Sequence, residues 1–146
     1  RCRERAAFSG DRLQSSEMVR GVRGATTVEN DDAGHIAERT SELVRILVDA
    51  NGIRAEDVAS AIFTATPDLT AVFPAVAARA VSGWEGVPLL CAGEIAVAGA
   101  LPRCIRVLIH WNTERPSSQV RHAFLGGAKG LRPEWAVRVD EEGEGD

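Results

Sequence analysis

Two hydrophobic rhythms run along the chain. Ile36, Leu43, Val44, Leu47 and Val48 recur at the spacing of one helix face, which predicts a helix from an Asp31 or Asp32 cap to about residue 50, stopped by Asn51-Gly52. Shorter β-branched or alternating runs surround it: residues 19–27 (VRGVRGATT), 58–66 (VASAIFTAT), 87–92 (VPLLCA) and 104–111 (CIRVLIHW), each predicting a strand. Phe73-Pro74 opens a second predicted helix ending at residues 82–83. Pro116 starts a third through SSQVRHAFL to Gly126-Gly127, and residues 135–139 suit a last edge strand. The connections after the third strand are too short for helices, so some neighbouring strands must be antiparallel. The expected fold class is α+β: a mixed β-sheet with helices packed on one face.

The ends of the chain break both rhythms. Residues 1–17 (RCRERAAFSGDRLQSSE) are polar and aperiodic and precede the single methionine, Met18, so they are expected to be a disordered extension or a non-native leader. Residues 140–146 (DEEGEGD) are acid and glycine only, a solvated tail. The working domain is residues 18–139.

Composition sharpens this picture. A chain of 146 residues with 45% hydrophobic and 26% charged residues has the makeup of one globular domain. No apolar run approaches the roughly 18 residues of a membrane helix. The net charge of −4 argues against a general affinity for nucleic acid or anionic lipid, so neither partner is expected. The acidity is local: residues 18–139 hold thirteen cations and thirteen acids, and the excess lies in the tail. Cys2, Cys91 and Cys104 are an odd set without a CxxC pair, pointing to a reduced cytoplasmic setting. His35, His110 and His122 lack ligand spacing, so no metal is expected.

No Walker loop, GxSxG, HExxH or GxGxxG is present. The chemistry on offer is charge inside apolar strands. In CIRVLIHW, Arg106 shares a face with Cys104 and Leu108, while Ile105, Val107 and Ile109 share the other. A guanidinium there is paired, faces a pocket, or reaches water along an edge strand. Arg23 has small neighbours, Gly21, Gly24 and Ala25, which leave room for a ligand; plain surface placement is the alternative. Glu94 lies three residues after Cys91 at a strand's end, Arg79 rides the second helix, and Phe73 precedes Pro74 at the helix start. Cys91 has no neighbouring base to activate it. Two or three arginines, one glutamate, no nucleophile and no metal together suggest a site for a small polyanion.

Longer strings carry more. VRGVRGATTVE at 19–29, FTATPDLTAVFPA at 63–75, SGWEGVPLLCAGEI at 82–95 and CIRVLIHWNT at 104–113, followed by VRHAFL and LRPEW, resemble the trimeric pseudo-α/β-barrel class of chorismate mutase. The resemblance spans nearly all of residues 18–139. It implies an isomerase that rearranges chorismate to prephenate without a cofactor, in aromatic amino acid biosynthesis, as a homotrimer with clefts between adjacent subunits. It further implies that Arg106 lies beside the breaking ether oxygen and that Arg23 binds substrate carboxylate and ether. Glu94 and Cys91 would contact the ring hydroxyl, Phe73 would pack on the substrate, and Arg79 would stand at the entrance. Leu131 and Arg132 would form the segment near the site. Phe124 stands where the family often has a tyrosine, and Val76 where it often has a lysine. Phe124 keeps an aromatic wall but gives up one hydrogen bond to a substrate carboxylate. Two other readings remain: a deaminase of enamines or imines from a structurally similar trimeric family, and a non-catalytic trimer that binds an aromatic-pathway metabolite.

Overall fold

Ile36, Thr40, Leu43, Val44 and Leu47 form the buried stripe of helix α1 (Ala33–Asn51). Asp32 caps it by accepting from the His35 amide, and Gly52 closes it at φ 66°, a left-handed conformation that glycine adopts without strain. This is a computed structural model, and it describes residues 18–81 and 83–137. The expectations for residues 1–17 and for the tail at 140–146 lie outside the described residues, as do Ser82 and the last two residues, 138–139, of the expected edge strand.

The stripe lies against a five-stranded sheet in the order β3-β2-β4-β1-β5: β1 Met18–Thr27, β2 Val58–Ala65, β3 Leu89–Gly93, β4 Cys104–Thr113 and β5 Ala123–Phe124. β4 pairs antiparallel with both β1 and β2, whereas β3 and β5 are parallel to their neighbours. The sheet is therefore mixed, as the connection lengths required. A second helix, α2 (Pro74–Arg79), begins with Pro at its first turn. Side chains of α1 (Leu43, Val44, Leu47) and α2 (Ala75, Ala78) share one core with Val22, Phe63, Val107, Ile109 and Trp111 from the sheet. Gly24 makes that approach possible: a Cβ there would stand 2.7 Å from a Leu47 methyl and 3.0 Å from a Leu43 methyl.

Three expectations need correction. α2 ends at Arg79, before the predicted stop near residue 82. The predicted third helix from Pro116 is not a helix: Ser117–Gln119 forms one 3₁₀ turn, and Ala123–Phe124 joins the sheet as β5. The cause is long-range bonding. Asn51 Nδ2 donates to the Arg121 carbonyl at 2.8 Å, Asn51 Oδ1 accepts from the Arg121 amide at 2.8 Å, and β5 then pairs with β1. Both Arg121 backbone groups are thus bound outside any helical ladder. Lastly, of the described residues of the expected edge strand (135–137), Trp135 belongs to a 3₁₀ turn (Pro133–Trp135), and Ala136 pairs with Phe124 in an isolated parallel bridge.

Candidate active site

The helices cover one face of the sheet, and the other face carries two transverse rows of side chains. Strand alternation and register place Leu90, Ile62, Leu108 and Arg23 in one row, and Ala92, Thr64, Arg106, Ala25 and Phe124 in the next. The opposite parity of β4 (Ile105, Val107, Ile109, Trp111) is buried beneath the helices. Arg106 is thus held over the open face by the burial of its own strand neighbours, as the alternation predicts.

Glu94 follows β3 directly, and its amide continues the ladder by donating to Ala65 O at 3.0 Å. Its carboxylate turns inward: Oε2 accepts from Thr64 Oγ1 at 3.2 Å, and Oε1 lies 3.0 Å from Arg106 Nε. The Glu94 side chain is 14% exposed and that of Arg106 34%, so the pair is partly withdrawn from water. The Arg106 Nε–H is nevertheless not aimed at the carboxylate and has no hydrogen-bond partner among the described residues. Arg23 lies in the adjacent row, and with Arg106, Thr64, Ile62 and Leu108 it lines a cavity of about 250 Å³. Burial lowers the basicity of the Arg23 guanidinium, Arg106 and Arg132 lower it further, and Glu94 opposes them. Arg132 is paired with Glu134, so Arg23 and Arg106 against the single carboxylate of Glu94 leave a local positive field, suited to an anion.

Beside Arg106 on β4, Cys104 is fully buried, and burial pushes its thiol up, against activation as a nucleophile. Thr66 and Asp68, from the TATPDL string, fasten the start of this strand. Thr66 Oγ1 accepts from the Cys104 amide at 2.9 Å and donates to Asp68, while Asp68 Oδ2 accepts from the Arg103 amide at 2.8 Å.

The remaining expected residues fall into separate groups. Phe73 and Cys91 line a different cavity, about 520 Å³, walled by the segment from Thr66 to Pro74 and the ends of β2 and β3. Phe73 is 70% exposed there, and Val76, one turn further on, is 50% exposed. Arg79 is exposed at the end of α2 and lines neither cavity. Phe124 is 1% exposed, packed with Ala25 and Ala128 against Leu101 and Trp135. Leu131 is 38% exposed, and the next residue, Arg132, stacks 3.7 Å over the Trp135 ring. One chain therefore unites Arg23, Arg106 and Glu94 but holds Phe73 and Cys91 apart from them.

Two contributors escaped the sequence reading. Thr64 holds Glu94, and its signal is its parity with Ile62, opposite buried Phe63. His122 accepts the Arg23 amide at Nδ1, a contact across 99 residues that no local pattern announces. Among the described residues, no three His, Cys, Asp or Glu side chains gather as metal ligands, and no helix is long and apolar enough to cross a membrane.

Residues 19–135 match the family model described as Chorismate mutase type I. The chain is 52% identical over 118 residues to the Chorismate mutase AroH of Thermus thermophilus, a match covering 80% of this chain and 96% of that protein. It is 43% identical over 125 residues to the Chorismate mutase AroH of Bacillus subtilis (strain 168), covering 86% and 98%. A solved structure described as a chorismate mutase from Clostridium thermocellum superposes with a TM-score of 0.75 at 44% identity, covering 77% of this chain and all of that one.

Proposed function

The chain belongs to the type I chorismate mutase family and is an isomerase that rearranges chorismate to prephenate, and we propose that Arg23, Arg106 and Glu94 are its catalytic groups. The imine deaminase reading loses its support, because the match runs over nearly the whole described chain. The observation that carries the residue assignment is the Arg106–Glu94 pair beside Arg23 on the face of the sheet opposite the two α-helices.

The chemistry explains why so few groups suffice. The rearrangement is pericyclic: the ether C–O bond breaks as a C–C bond forms, no proton moves, and no covalent enzyme intermediate arises. The barrier falls in two ways. One is to hold the enolpyruvyl arm over the ring, which costs entropy and strain in solution. Arginine forks on the two carboxylates do this, because bidentate contacts fix direction as well as distance. The second is to stabilise negative charge that grows on the ether oxygen as its bond lengthens. Arg106 supplies that cation. Its Nε–H, which has no hydrogen-bond partner among the described residues, is the donor this reading offers to that oxygen, with Glu94 alongside. Glu94 also accepts from the ring hydroxyl and offsets the charge of the arginines.

Phe73, Cys91, Arg79, Phe124 and Leu131 complete the substrate cleft in this proposal. Since Phe73 and Cys91 line a cavity apart from Arg106, the complete cleft draws its two halves from neighbouring copies. A homotrimer supplies three such clefts. Leu90, Ile95 and Val97, between 62% and 87% exposed around β3, supply apolar surface for that contact. The unpaired cysteines Cys91 and Cys104 suit a cytoplasmic enzyme. Incubating purified protein with chorismate and following the loss of chorismate absorbance, without added cofactor, tests the activity. A flat trace would overturn it.

A further inference from the structure

A strand amide needs an acceptor, and the Arg23 amide finds an unusual one. Arg23 has the parity of Ala25, whose carbonyl accepts from Leu125 on the β5 side. β5, however, is two residues long and pairs only with Gly24 and Ala25, so its ladder stops short of Arg23. His122, just before β5, fills the gap: its Nδ1 accepts from the Arg23 amide at 2.9 Å. An imidazole accepts at Nδ1 only when neutral, with its proton on Nε2; the charged ring has two donors and no acceptor.

The other side of the ring continues the connection. His122 lies 4.0 Å from the Trp135 ring, Trp135 packs against Phe124 at 5.7 Å, and the Arg132 guanidinium sits 3.7 Å over the Trp135 ring. His122 is thus the joint between the strand bearing Arg23 and the turn bearing Arg132. The charged groups around it are Arg23 from β1, Arg132 and Glu134 from the C-terminal turn, and Arg115 and Arg121 from the segment before β5; α1 adds only apolar Ile46 and Ala50 to the cavity it lines. Among the described residues, cations outnumber acids there.

We infer that neutral His122 is a positioning residue for Arg23, fixing its backbone and, through Trp135, the Arg132 turn, so that protonating this ring loosens the site. The inference rests on the proposed role of Arg23 in chorismate turnover. Burial first, then Arg23 and Arg132, hold the His122 imidazole below its ordinary 6.5, so the ring is neutral at pH 7. Because the rearrangement moves no proton, and ordinary carboxylates stay ionised above about pH 5, few other groups give activity an acid limb in this range.

The test measures kcat and KM for chorismate between about pH 5 and 8 in wild type, His122→Leu and His122→Asn. An Asn Oδ1 reaches close to where Nδ1 stands and accepts at every pH. Wild-type kcat/KM should fall on an acid limb below 6.5. His122→Leu should lose about tenfold in kcat/KM at neutral pH, the size of one hydrogen bond, and show no limb. His122→Asn should recover to within about threefold of wild type, also without the limb. A simple packing role for the ring would not produce that rescue. A limb that persists in His122→Asn, a wild type without one, or full activity in His122→Leu overturns the inference alone. A wild type inert to chorismate overturns the functional reading together with it. Should His122→Leu fail to fold, the pH profile of His122→Asn decides.

Discussion

Arg106 Nε lies 3.0 Å from Glu94 Oε1, yet its N–H is not directed at that oxygen and has no hydrogen-bond partner among the described residues. The two charges attract without using the donor. The carboxylate in turn is restrained by Thr64, the cross-strand partner of Arg106, so both members hang from adjacent strands. A cation held in this way loses little freedom when an oxygen acquires charge beside it, which is the condition for stabilising a transition state more than a ground state.

Replacing Arg106 with Ala removes both cation and donor. Losing one such group costs about 10²–10³ in rate at an oxyanion site, and losing a full charge should cost at least the upper figure in kcat. Arg106→Lys separates charge from geometry: the ammonium keeps the charge but has no counterpart to Nε, so it should recover only a minor part of kcat. Steady-state kinetics with chorismate, together with the oligomeric state, checks both. An Arg106→Ala protein with wild-type kcat would remove the cation from the mechanism.

Phe124 couples stability to binding. It is 1% exposed and packed with Ala25, Ala128, Leu101 and Trp135, so the hydroxyl added by Phe124→Tyr enters an apolar surround. That should cost roughly 1–2 kcal/mol of stability. Under the proposed assignment of Phe124 to the substrate cleft, a substrate carboxylate is the partner, and KM should fall about fivefold, equivalent to a hydrogen bond of about 1 kcal/mol. Thermal unfolding and KM, measured side by side, give the answer. A Phe124→Tyr protein unchanged in both would show that this ring does not border the substrate.

Much of the fold was legible because burial imposes period. The stripe from Ile36 to Leu47 and the alternation from Ile105 to Trp111 are both buried as their spacing requires. Residues 116–125 were not legible, because their conformation is imposed by partners roughly 70 to 100 residues away: Asn51 on the Arg121 backbone, and β1 and Arg23 beside Ala123 and His122. For the site, strand parity was enough to bring Arg106 to the open face. The separation of Phe73 and Cys91 from it depends on register and on where each cavity lies, neither of which a linear string displays.

Asp68 gives the acid response a defined sign. Burial opposes its ionisation, but hydrogen bonds from Thr66 and from the Arg103 amide outweigh burial and hold the carboxyl below its ordinary 3.8. A folded pKa below the unfolded one contributes stability that is complete above 3.8 and lost as pH falls through the folded value. Asp68→Asn should therefore melt below wild type at neutral pH, and the gap should narrow on acidification. Asp31 and Glu134 are also held low, so wild type itself continues to lose stability in acid; the difference between the two proteins isolates Asp68. Melting temperatures from pH 7 down to about pH 2.5 measure it, and a gap that stays constant across that range contradicts the assignment.

The proposed division of the cleft between two cavities yields a test by mixing. Arg106→Ala disables the half of the cleft built on the open sheet face, and Phe73→Ala combined with Arg79→Ala disables the half near α2. Each protein alone should be nearly inactive. In a closed ring, where each cleft takes one half from each neighbour, unfolding and refolding an equal mixture should leave about one cleft in four with both halves intact. The mixture should thus recover roughly a quarter of wild-type activity per cleft, well above either parent. The same mixture assembled without exchange of subunits should recover none. If the halves instead belonged to one cleft within a single chain, every molecule would carry a defective site and mixing could restore nothing. Recovered activity that rises with exchange time and plateaus near that fraction would therefore establish both the composite cleft and the closed assembly that forms it.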